Sequence, residues 1–588
     1  MDSKYNHAYL YVDDVKAHYI EAGEGAPLVL IHGRGAGSSG EANYGDVIGP
    51  LGKHFHAIAP DVIGYGYTTP RSIQDGNGQA EGNFLVKFLE KLDVGPVYLG
   101  GNSHGGFLSQ YVAHERPDLV KRLIIINSLN GTSPYPPLPE GKNYIYGPGG
   151  HQARKPDLES MLTSAKEGKR RFFAHQDLVT EERVKRSYEI ILRNYKFADE
   201  RGRANSSTTE DAVRDLSYKG KHISEWASDL KMPVLLTWSE PGSKIEWGVS
   251  HFFKINGCEM HLFPWSGHHV QTDQRDRWTQ VVTNWLQNET ARPLNEPREP
   301  IKRRWEDSYV DVDGVKTHYI QAGKGDTFIL CHGMGPWGGL SWSPAVNLLS
   351  ENFHTVAPDL IGYGYTPARG SKDLPGRAEG EFLIRFIESL DVGPVALAGH
   401  SHGGFITQYV AHERPDLIKR LILTNSLNGT SPIPPLPEGS KYICGPGGHE
   451  WQNPTIEQTK EQLKNYYTHE ELSDEMVNDI HGKILTSYEF VRTRGETVFY
   501  SVEASNANQS YKGKHISEWA SDLKMPVFLI WSEPGSKIEW ALSHFFKIPG
   551  CEAHFLPWSG HTLHKDQVER WVQVATNWLK NDTARPPN

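Results

Sequence analysis

A six-residue stretch, Gly101-Asn102-Ser103-His104-Gly105-Gly106, decides the fold of this chain. It follows the apolar run Val97-Tyr98-Leu99-Gly100 and precedes a segment with helical periodicity. A serine flanked by small residues, placed between a strand and a helix, is typical of a sharp turn that lifts the serine hydroxyl above a sheet. The stretch therefore predicts a nucleophilic serine at the carboxyl end of a buried strand.

The whole pattern occurs twice. The serine stretch recurs as Gly399-His400-Ser401-His402-Gly403-Gly404. Two flanking motifs recur with it: His-Gly-x-Gly begins at His32 and His332, and Trp-Ser-Gly-His ends at His268 and His561. A repeat this long is typical of a duplicated globular domain and not of a solenoid. We therefore predict domains at 1–290 and 305–588, joined by a proline-containing linker at 291–304.

Within each repeat, short apolar runs alternate with amphipathic segments. An opening pair of alternating segments, Ala8–Val12 and Val15–Ala22 in the first repeat, predicts a hairpin. The later runs predict an α/β fold with a mostly parallel sheet covered by helices on both faces. The alternation stops at about 129–230 and 427–523, where polar, helix-like sequence predicts an inserted helical cap.

Composition narrows the class of protein. The chain has 588 residues, of which 38% are hydrophobic and 22% charged, as in globular proteins. Its formal net charge of −10 argues against nucleic acid or an anionic membrane as a partner. The four cysteines form no CxxC motif, so we expect no metal site. The N-terminus lacks an apolar signal core, which favours a cytoplasmic protein.

The motifs supply the groups that acyl transfer needs. Serine is activated when a histidine accepts its proton, so Ser103 with His268, and Ser401 with His561, are the predicted nucleophiles and bases. Backbone N–H groups beside the serine stabilise a developing oxyanion. The predicted donors are those of Arg34 and His104 in the first repeat and of Met334 and His402 in the second.

These residues resemble the α/β-hydrolase superfamily over nearly the whole of both repeats. Within it, the chain is most similar to the meta-cleavage-product hydrolases, which cleave C–C bonds in products of aromatic ring fission. The similar stretches are Phe353–Thr366, the serine stretch at Gly101–Gly106, and Leu178–Val184 in the cap. The resemblance implies two tandem α/β-hydrolase domains, each with a cap.

The acid of the expected Ser-His-Asp set is missing from its usual place. The resemblance implies an aspartate at the positions held by Gly242 and Gly535. Some relatives place the acid after the preceding strand, where this chain has Asn127 and Asn425. The nearest loop carboxylates, Glu240 and Glu533, are the predicted acids.

Further polar residues are predicted to bind substrate. The resemblance implies a cap arginine that holds a substrate carboxylate, and Arg186 lies one residue from the matching position, Ser187. The remaining candidates flank the motifs or recur at the roots of the cap; they are His32, His332, Asn102, His400, Asn127, Asn425, His151 and His449.

The sequence therefore predicts a hydrolase that uses no cofactor and acts on a small carbonyl compound, either a diketone-like ring-fission product or an ester or lactone. The Ser-His-Gly-Gly stretch also resembles cofactor-free dioxygenases that open hydroxyquinolone rings. A non-catalytic scaffold is the remaining alternative. The duplication predicts a pseudo-dimer within one chain; further homo-oligomers, the substrate and the relative activity of the two domains stay open.

Overall fold

The computed structural model describes residues 5–133, 155–166, 173–205, 208–293, 301–432, 453–466, 472–534 and 536–587. The chain divides into two compact units, one formed by 1–290 with 582–588 and the other by 291–581. The predicted domains are 1–290 and 305–588. The predicted linker falls within the second unit, and the last residues fall within the first. There the backbone N–H of Arg585 donates to the side-chain oxygen of Gln274 at 2.8 Å.

A mostly parallel sheet forms the centre of the first unit. Its strands lie in the order β1-β2-β4-β3-β5-β6-β9-β10. β1 and β2 form the predicted antiparallel hairpin, β2 also pairs antiparallel with β4, and the remaining pairs are parallel. The strands of this unit, including a two-stranded hairpin β7-β8 that sequence reasoning missed, are β1 Asn6–Val12, β2 Val15–Ala22, β3 Pro27–Ile31, β4 His56–Pro60, β5 Val97–Asn102, β6 Val120–Ile126, β7 Ser217–Tyr218, β8 Lys221–His222, β9 Val234–Pro241 and β10 Glu259–Ser266.

The helices of the first unit include α1, which sequence reasoning also missed, and the cap helices α4 to α7. Their bounds are α1 Gly40–Leu51, α2 Gly78–Leu92, α3 His104–Glu115, α4 Leu129–Thr132, α5 Leu158–Lys166, α6 Glu181–Asn205, α7 Thr209–Asp215, α8 Ile245–Lys254, α9 Val270–Asp273 and α10 Arg275–Gln287. None of the helices in the described part of the chain has both the length and the apolarity to cross a membrane.

The second unit repeats this architecture, with the strand order β11-β12-β14-β13-β15-β16-β19-β20 and a separate hairpin β17-β18. Its strands are β11 Glu306–Val312, β12 Val315–Ala322, β13 Thr327–Cys331, β14 His354–Pro358, β15 Val395–His400, β16 Ile418–Thr424, β17 Ser510–Tyr511, β18 Lys514–His515, β19 Val527–Pro534 and β20 Glu552–Ser559. Its helices are α11 Ser343–Leu349, α12 Gly376–Ser389, α13 His402–Glu413, α14 Leu427–Thr430, α15 Ile456–Tyr466, α16 Asp474–Val498, α17 Val502–Asn508, α18 Ile538–Lys547, α19 Leu563–Asp566 and α20 Val568–Lys580.

The hydrophobic pattern explains why these elements form. Every residue of β3 is buried, as expected of a strand covered on both faces. Helix α10 buries Trp278, Val282 and Trp285, which recur at the spacing of one helix face. These side chains pack with those of α1 and β3 in one core of the first unit. The predicted α/β fold is thereby confirmed.

A pair of buried histidines makes stability depend on pH. His251 of α8 and its counterpart His544 of α18 are fully buried, and burial lowers the pKa of each to about 3. Each ring lies 2.9 Å from a glutamine oxygen, on Gln110 or Gln408. In the unfolded chain a histidine has a pKa of about 6.5. Because the unfolded state then binds more protons, acidification favours unfolding.

We therefore expect each histidine to remove about 1.4 kcal/mol from the free energy of unfolding of its unit per pH unit, between about pH 6 and 4. Urea denaturation at several pH values measures this slope. The double variant His251→Gln/His544→Gln should have a shallower slope, whereas His54→Gln, at an exposed position, should keep the wild-type slope. Equal slopes in all three proteins would contradict the assignment.

Candidate active site

The serine of the first unit occupies a strained turn between β5 and α3. Ser103 has φ 56° and ψ −119°, a conformation that residues with a side chain rarely adopt. A Cβ atom at Gly101 would lie 2.0 Å from the carbonyl oxygen of Gly105, and one at Gly105 would lie 2.1 Å from that of Ile31. The turn can therefore form only with glycine at both positions.

The second unit repeats this turn. Ser401 has φ 53° and ψ −122° between β15 and α13. A Cβ atom at Gly399 would lie 2.4 Å from the oxygen of Gly403, and one at Gly403 would lie 2.4 Å from that of His332. Each unit thus holds a serine in the geometry that the motif predicts.

The loop and the helix that carry the predicted oxyanion donors both lie next to this serine. A Cβ atom at Gly33 would lie 3.1 Å from the Cβ of Ser103, so the loop that carries Arg34 passes next to the turn. His104 is the first residue of α3, and an N–H group in the first turn of a helix has no partner within the helix. In the second unit, a Cβ atom at Gly333 would lie 3.0 Å from the Cβ of Ser401, so the corresponding loop also passes next to its serine.

The histidines of the His-Gly-x-Gly motif brace that loop. Nδ1 of His32 lies 2.7 Å from the carbonyl oxygen of Gly33, and Nε2 accepts from the backbone N–H of Val62 at 3.0 Å. Burial lowers the pKa of this imidazole, so the neutral form fits both contacts. His332 makes the same two contacts in the second unit. Backbone groups thus occupy both ring nitrogens of each histidine, and substrate binding by these side chains stays a prediction.

Two side-chain amides hold the loop of the predicted base against the serine turn. The carbonyl oxygen of His268 accepts from Nδ2 of Asn127 at 3.0 Å and from Nδ2 of Asn102 at 3.3 Å. Asn127 also donates to Oγ of Ser239 at 2.7 Å and accepts from its N–H at 3.0 Å. These buried amides hold the main chain of the histidine loop, and their role as substrate ligands stays a prediction.

The same carbonyl is held in the second unit by a different pair. Nε2 of His400 donates to the carbonyl oxygen of His561 at 2.9 Å, and so does Nδ2 of Asn425 at the same distance. Burial and the neighbouring His561 hold the pKa of His400 well below its ordinary value. His400 and Asn425, like their counterparts, thus bind the main chain of the histidine loop, and their predicted contact with substrate stays a prediction.

A carboxylate fixes the loop from the other side. Oδ2 of Asp273 accepts from the N–H of Gly267 at 2.6 Å, and Oδ2 of Asp566 accepts from that of Gly560 at 2.8 Å. Because each aspartate binds the residue that precedes the histidine, it anchors the loop and does not serve as the missing acid.

The structure gives a steric reason for the missing aspartate. A Cβ atom at Gly242 would lie 2.0 Å from the carbonyl carbon of Gly267, so no side chain fits there. The nearby hydroxyl of Ser243 lies 3.5 Å from Nδ1 of His268. A serine thus approaches the imidazole where a carboxylate was expected.

The predicted acid Glu240 is not brought to the histidine. Glu240 and His268 are both among the described residues, and no hydrogen bond joins them. Burial and the like charge of Glu246 raise the pKa of Glu240, which is the opposite of what an imidazolium partner would do. Glu533 is in the same situation beside Glu539. In the second unit, Ser536 stands at the position of Ser243 and is buried, while Gly535 lies outside the described residues.

Only some of the cap residues that were predicted to bind substrate lie among the described residues. Arg186 pairs with Glu41 at 2.9 Å and with Glu182 at 3.3 Å, so carboxylates of the protein engage its guanidinium. The adjacent Ser187 approaches the loop that also carries Arg34. A Cβ atom at Gly37 in that loop would lie 2.9 Å from Oγ of Ser187. His151 and His449 lie outside the described residues. No group of three potential metal ligands occurs in the described ranges.

Sequence reasoning missed a buried carboxylate beneath each site. Glu81 of α2 is fully buried, and its Oε2 lies 2.5 Å from Nε2 of His104. Glu379 of α12 makes the same contact with His402 at 2.7 Å. Two signals could have found it: the glutamate recurs in both repeats, and it lies on the same helix face as the apolar residues.

Comparison with known proteins identifies the family. A family described as the alpha/beta hydrolase fold matches residues 26–274 and 326–443, one segment in each unit. Together these segments cover more than half of the chain. The chain therefore belongs to the α/β-hydrolase fold family.

Individual relatives within this family are similar to the chain at lower identity or over shorter stretches. The chain is 26% identical to 2-hydroxy-6-oxo-6-phenylhexa-2,4-dienoate hydrolase of Comamonas testosteroni over 282 residues, 47% of this chain and 92% of the relative. It is also 41% identical to (E)-2-((N-methylformamido)methylene)succinate hydrolase of Acinetobacter baylyi over a stretch of 113 residues. This stretch covers 19% of this chain and 41% of that protein. A solved meta-cleavage product hydrolase from Pseudomonas fluorescens IP01 matches 48% of this chain and 98% of its own, with 22% identity and a TM-score of 0.40. The predicted resemblance to meta-cleavage-product hydrolases is confirmed.

Proposed function

We propose that each unit is a complete Ser/His hydrolase for a small carbonyl substrate. One observation carries the proposal: in each unit a side chain next to the serine, Asn102 or His400, donates directly to the main chain of the predicted base. Such a contact ties the nucleophile turn and the histidine loop into one rigid site. Two sites with different donors but the same connection support function in both units.

The proposed reaction consumes water. Oγ of Ser103 attacks the carbonyl carbon while His268 accepts the hydroxyl proton, and the backbone N–H groups of Arg34 and His104 stabilise the oxyanion. Collapse of the tetrahedral adduct breaks the bond to the leaving group, which receives the proton from His268. Water, deprotonated by the same histidine, then releases the acyl group as a carboxylic acid. Ser401, His561, Met334 and His402 act correspondingly.

The substrate class follows from the relatives. By their names, one relative hydrolyses a 2-hydroxy-6-oxo-dienoate and another a substituted methylenesuccinate. We propose a diketone-like ring-fission product whose C–C bond is cleaved, with an ester or lactone as the neighbouring possibility. Since Arg186 is paired with Glu41, we do not assign its guanidinium to a substrate carboxylate.

Oxygenation is the second candidate, because a histidine follows each serine and the usual aspartate is missing. The buried ring of His104 lies against Glu81, which accounts for this histidine without a role in oxygen chemistry. The contact therefore favours hydrolysis.

The third member of the proposed catalytic set is Ser243, which replaces the expected carboxylate. Its hydroxyl can orient Nδ1 of His268, but it carries no charge to stabilise the imidazolium. We therefore propose a set of Ser103, His268 and Ser243 with modest turnover in the first unit. In the second unit Ser536 stands at the position of Ser243, but no hydrogen bond joins its hydroxyl to Nδ1 of His561 among the described residues, so the proposed set there is Ser401 and His561.

The independence of the two sites can be tested with serine variants. Ser103→Ala and Ser401→Ala should each leave part of the hydrolysis of a p-nitrophenyl ester, because the other unit is intact. The double variant should lose activity by roughly 10³-fold or more. Complete loss in either single variant would mean that only one unit is active.

The source of the incorporated oxygen separates hydrolysis from oxygenation. With a dienoic ring-fission product, we expect the same turnover under argon as in air, and ¹⁸O in the product from labelled water. A hydroxyquinolone serves as the matched probe of the alternative. Turnover that requires O₂ and takes its label from the gas would reject the hydrolase proposal.

The role of Ser243 predicts a gain of activity. In a Ser401→Ala parent, Ser243→Asp should raise kcat for the ester about tenfold or more, because a carboxylate beside Nδ1 stabilises the imidazolium. Ser243→Asn, with the same shape but no charge, is the control. Gly242→Asp should instead lower both activity and thermal stability, because its Cβ collides with Gly267. A gain from Gly242→Asp and none from Ser243→Asp would contradict the assignment.

A further inference from the structure

A single buried carboxylate joins the side chains of both predicted oxyanion donors in the first unit. Oε2 of Glu81 lies 2.5 Å from Nε2 of His104 and 3.2 Å from Nη2 of Arg34. Glu81 and His104 are almost completely buried, and the Arg34 side chain is 18% exposed. The two residues whose backbone N–H groups flank Ser103 are therefore fixed by one anion.

The same anion connects the oxyanion residues to the cap. Nη1 of Arg34 binds Oδ2 of Asp215, the last residue of α7, and Oδ1 of Asp215 accepts from the N–H of Gly78 at 2.8 Å. Arg201 of α6 lies 3.8 Å from Oε1 of Glu81 and 4.5 Å from the ring of Tyr65. Two cap helices thus contribute a charged side chain to the cluster around Glu81.

The charges of this cluster balance. Burial, together with Arg34, lowers the pKa of His104, which is therefore neutral near pH 7. Burial opposes the charge of Glu81, but Arg34 and His104 outweigh it and hold its pKa well below the ordinary range. Two guanidinium groups then face two carboxylates. A buried charge that loses its partner is costly, so each member constrains the others.

The second unit preserves the balance with different residues. Met334 replaces Arg34 and Asn508 replaces Asp215, so one positive and one negative charge are lost together. Oδ1 of Asn508 still accepts from the N–H of Gly376 at 3.0 Å. The paired replacement indicates that the two positions act together.

Because Met334 stands at the position of Arg34, an arginine of the cap binds the carboxylate of Glu379 in its place. Both terminal nitrogens of Arg494 on α16 bind Glu379, with Nη1 at 2.5 Å from Oε1. Nε of Arg494 also donates to the carbonyl oxygen of Leu374 at 2.7 Å, and Nη1 to the hydroxyl of Tyr363 at 2.6 Å. The cap helix is thus bound directly to the carboxylate that holds His402.

We propose that Glu81 and Glu379 are positioning residues that couple the oxyanion hole to the seating of the cap. When the cap is seated, its arginine fixes the carboxylate, and the carboxylate fixes the start of the helix that carries an oxyanion donor. In the first unit the coupling extends to both donors through Arg34; in the second it reaches only His402. This inference rests on the proposed hydrolysis, because it assigns a role to the oxyanion donors of that reaction.

The test uses the full-length chain with one serine removed. In a Ser401→Ala parent, Glu81→Gln should lower kcat for p-nitrophenyl acetate by about 10- to 100-fold and change KM by less than about threefold, because the oxyanion forms only after binding. Affinity for a trifluoromethyl ketone, which forms an anionic adduct with the serine, should fall by a similar factor. Affinity for the matching methyl ketone should stay the same. Glu379→Gln in a Ser103→Ala parent is the matched experiment.

A charge-balanced variant controls for folding. Arg34→Met leaves Asp215 buried without its guanidinium, whereas Arg34→Met/Asp215→Asn reproduces the pair found in the second unit. We expect the double variant to recover most of the kcat lost in the single variant, since Arg201 can then pair fully with Glu81. A double variant no more active than the single one would overturn the coupling.

The outcomes separate this inference from the proposed hydrolysis. If the Ser401→Ala parent neither hydrolyses the ester nor binds the trifluoromethyl ketone, the proposed function and the inference both fail. If the parent reacts but Glu81→Gln leaves kcat and the ratio of the two ketone affinities unchanged, only the inference fails. It also fails if the loss of kcat matches the loss of folded protein measured by circular dichroism, because the effect is then merely structural.

Discussion

The close approach of the serine turn to the neighbouring strand is the constraint on which each site depends. Gly105 lies so near the end of β3 that its Cβ would stand 2.1 Å from the carbonyl oxygen of Ile31. This contact fixes the start of α3 relative to the loop after β3, and so sets the positions of Ser103 and of both proposed oxyanion donors. A positive φ at the serine is the conformational cost of the arrangement. The glycines on both sides make that cost tolerable, because larger residues would add a direct collision.

The histidine loop is positioned through its main chain. Asn127 and Asn102 bind the carbonyl oxygen of His268, and Asp273 binds the preceding N–H. The second unit keeps the asparagine and the aspartate but uses His400 in place of Asn102. Because these contacts fix the backbone, the histidine main chain is held in place without a carboxylate at Nδ1. This explains how the site accommodates a serine where an acid is usual.

Comparison of the two units distinguishes fixed from adjustable features. Both units have the serine turn, the asparagine that binds the histidine loop, and the buried glutamate. The cations around the glutamate differ, yet the exchange of Arg34 and Asp215 for Met334 and Asn508 leaves each cluster neutral. Charge balance in a buried site is thus maintained, while the particular partners vary. The two units therefore satisfy the same physical rule with different residues.

The sequence by itself determined the fold, the duplication and the elements that carry the serine and histidine. Those signals are local, since hydrophobic periodicity and glycine spacing act over a few residues. The sequence could not assign roles to His32, Asn127 or His400, because each is polar and near a motif, and only its hydrogen-bond partner reveals that it binds backbone. It also missed Glu81, whose partners Arg34, His104 and Arg201 are scattered along the chain. Tertiary structure alone decided these contacts, because the energy of a buried charge or amide depends on which distant groups the fold brings within hydrogen-bonding distance.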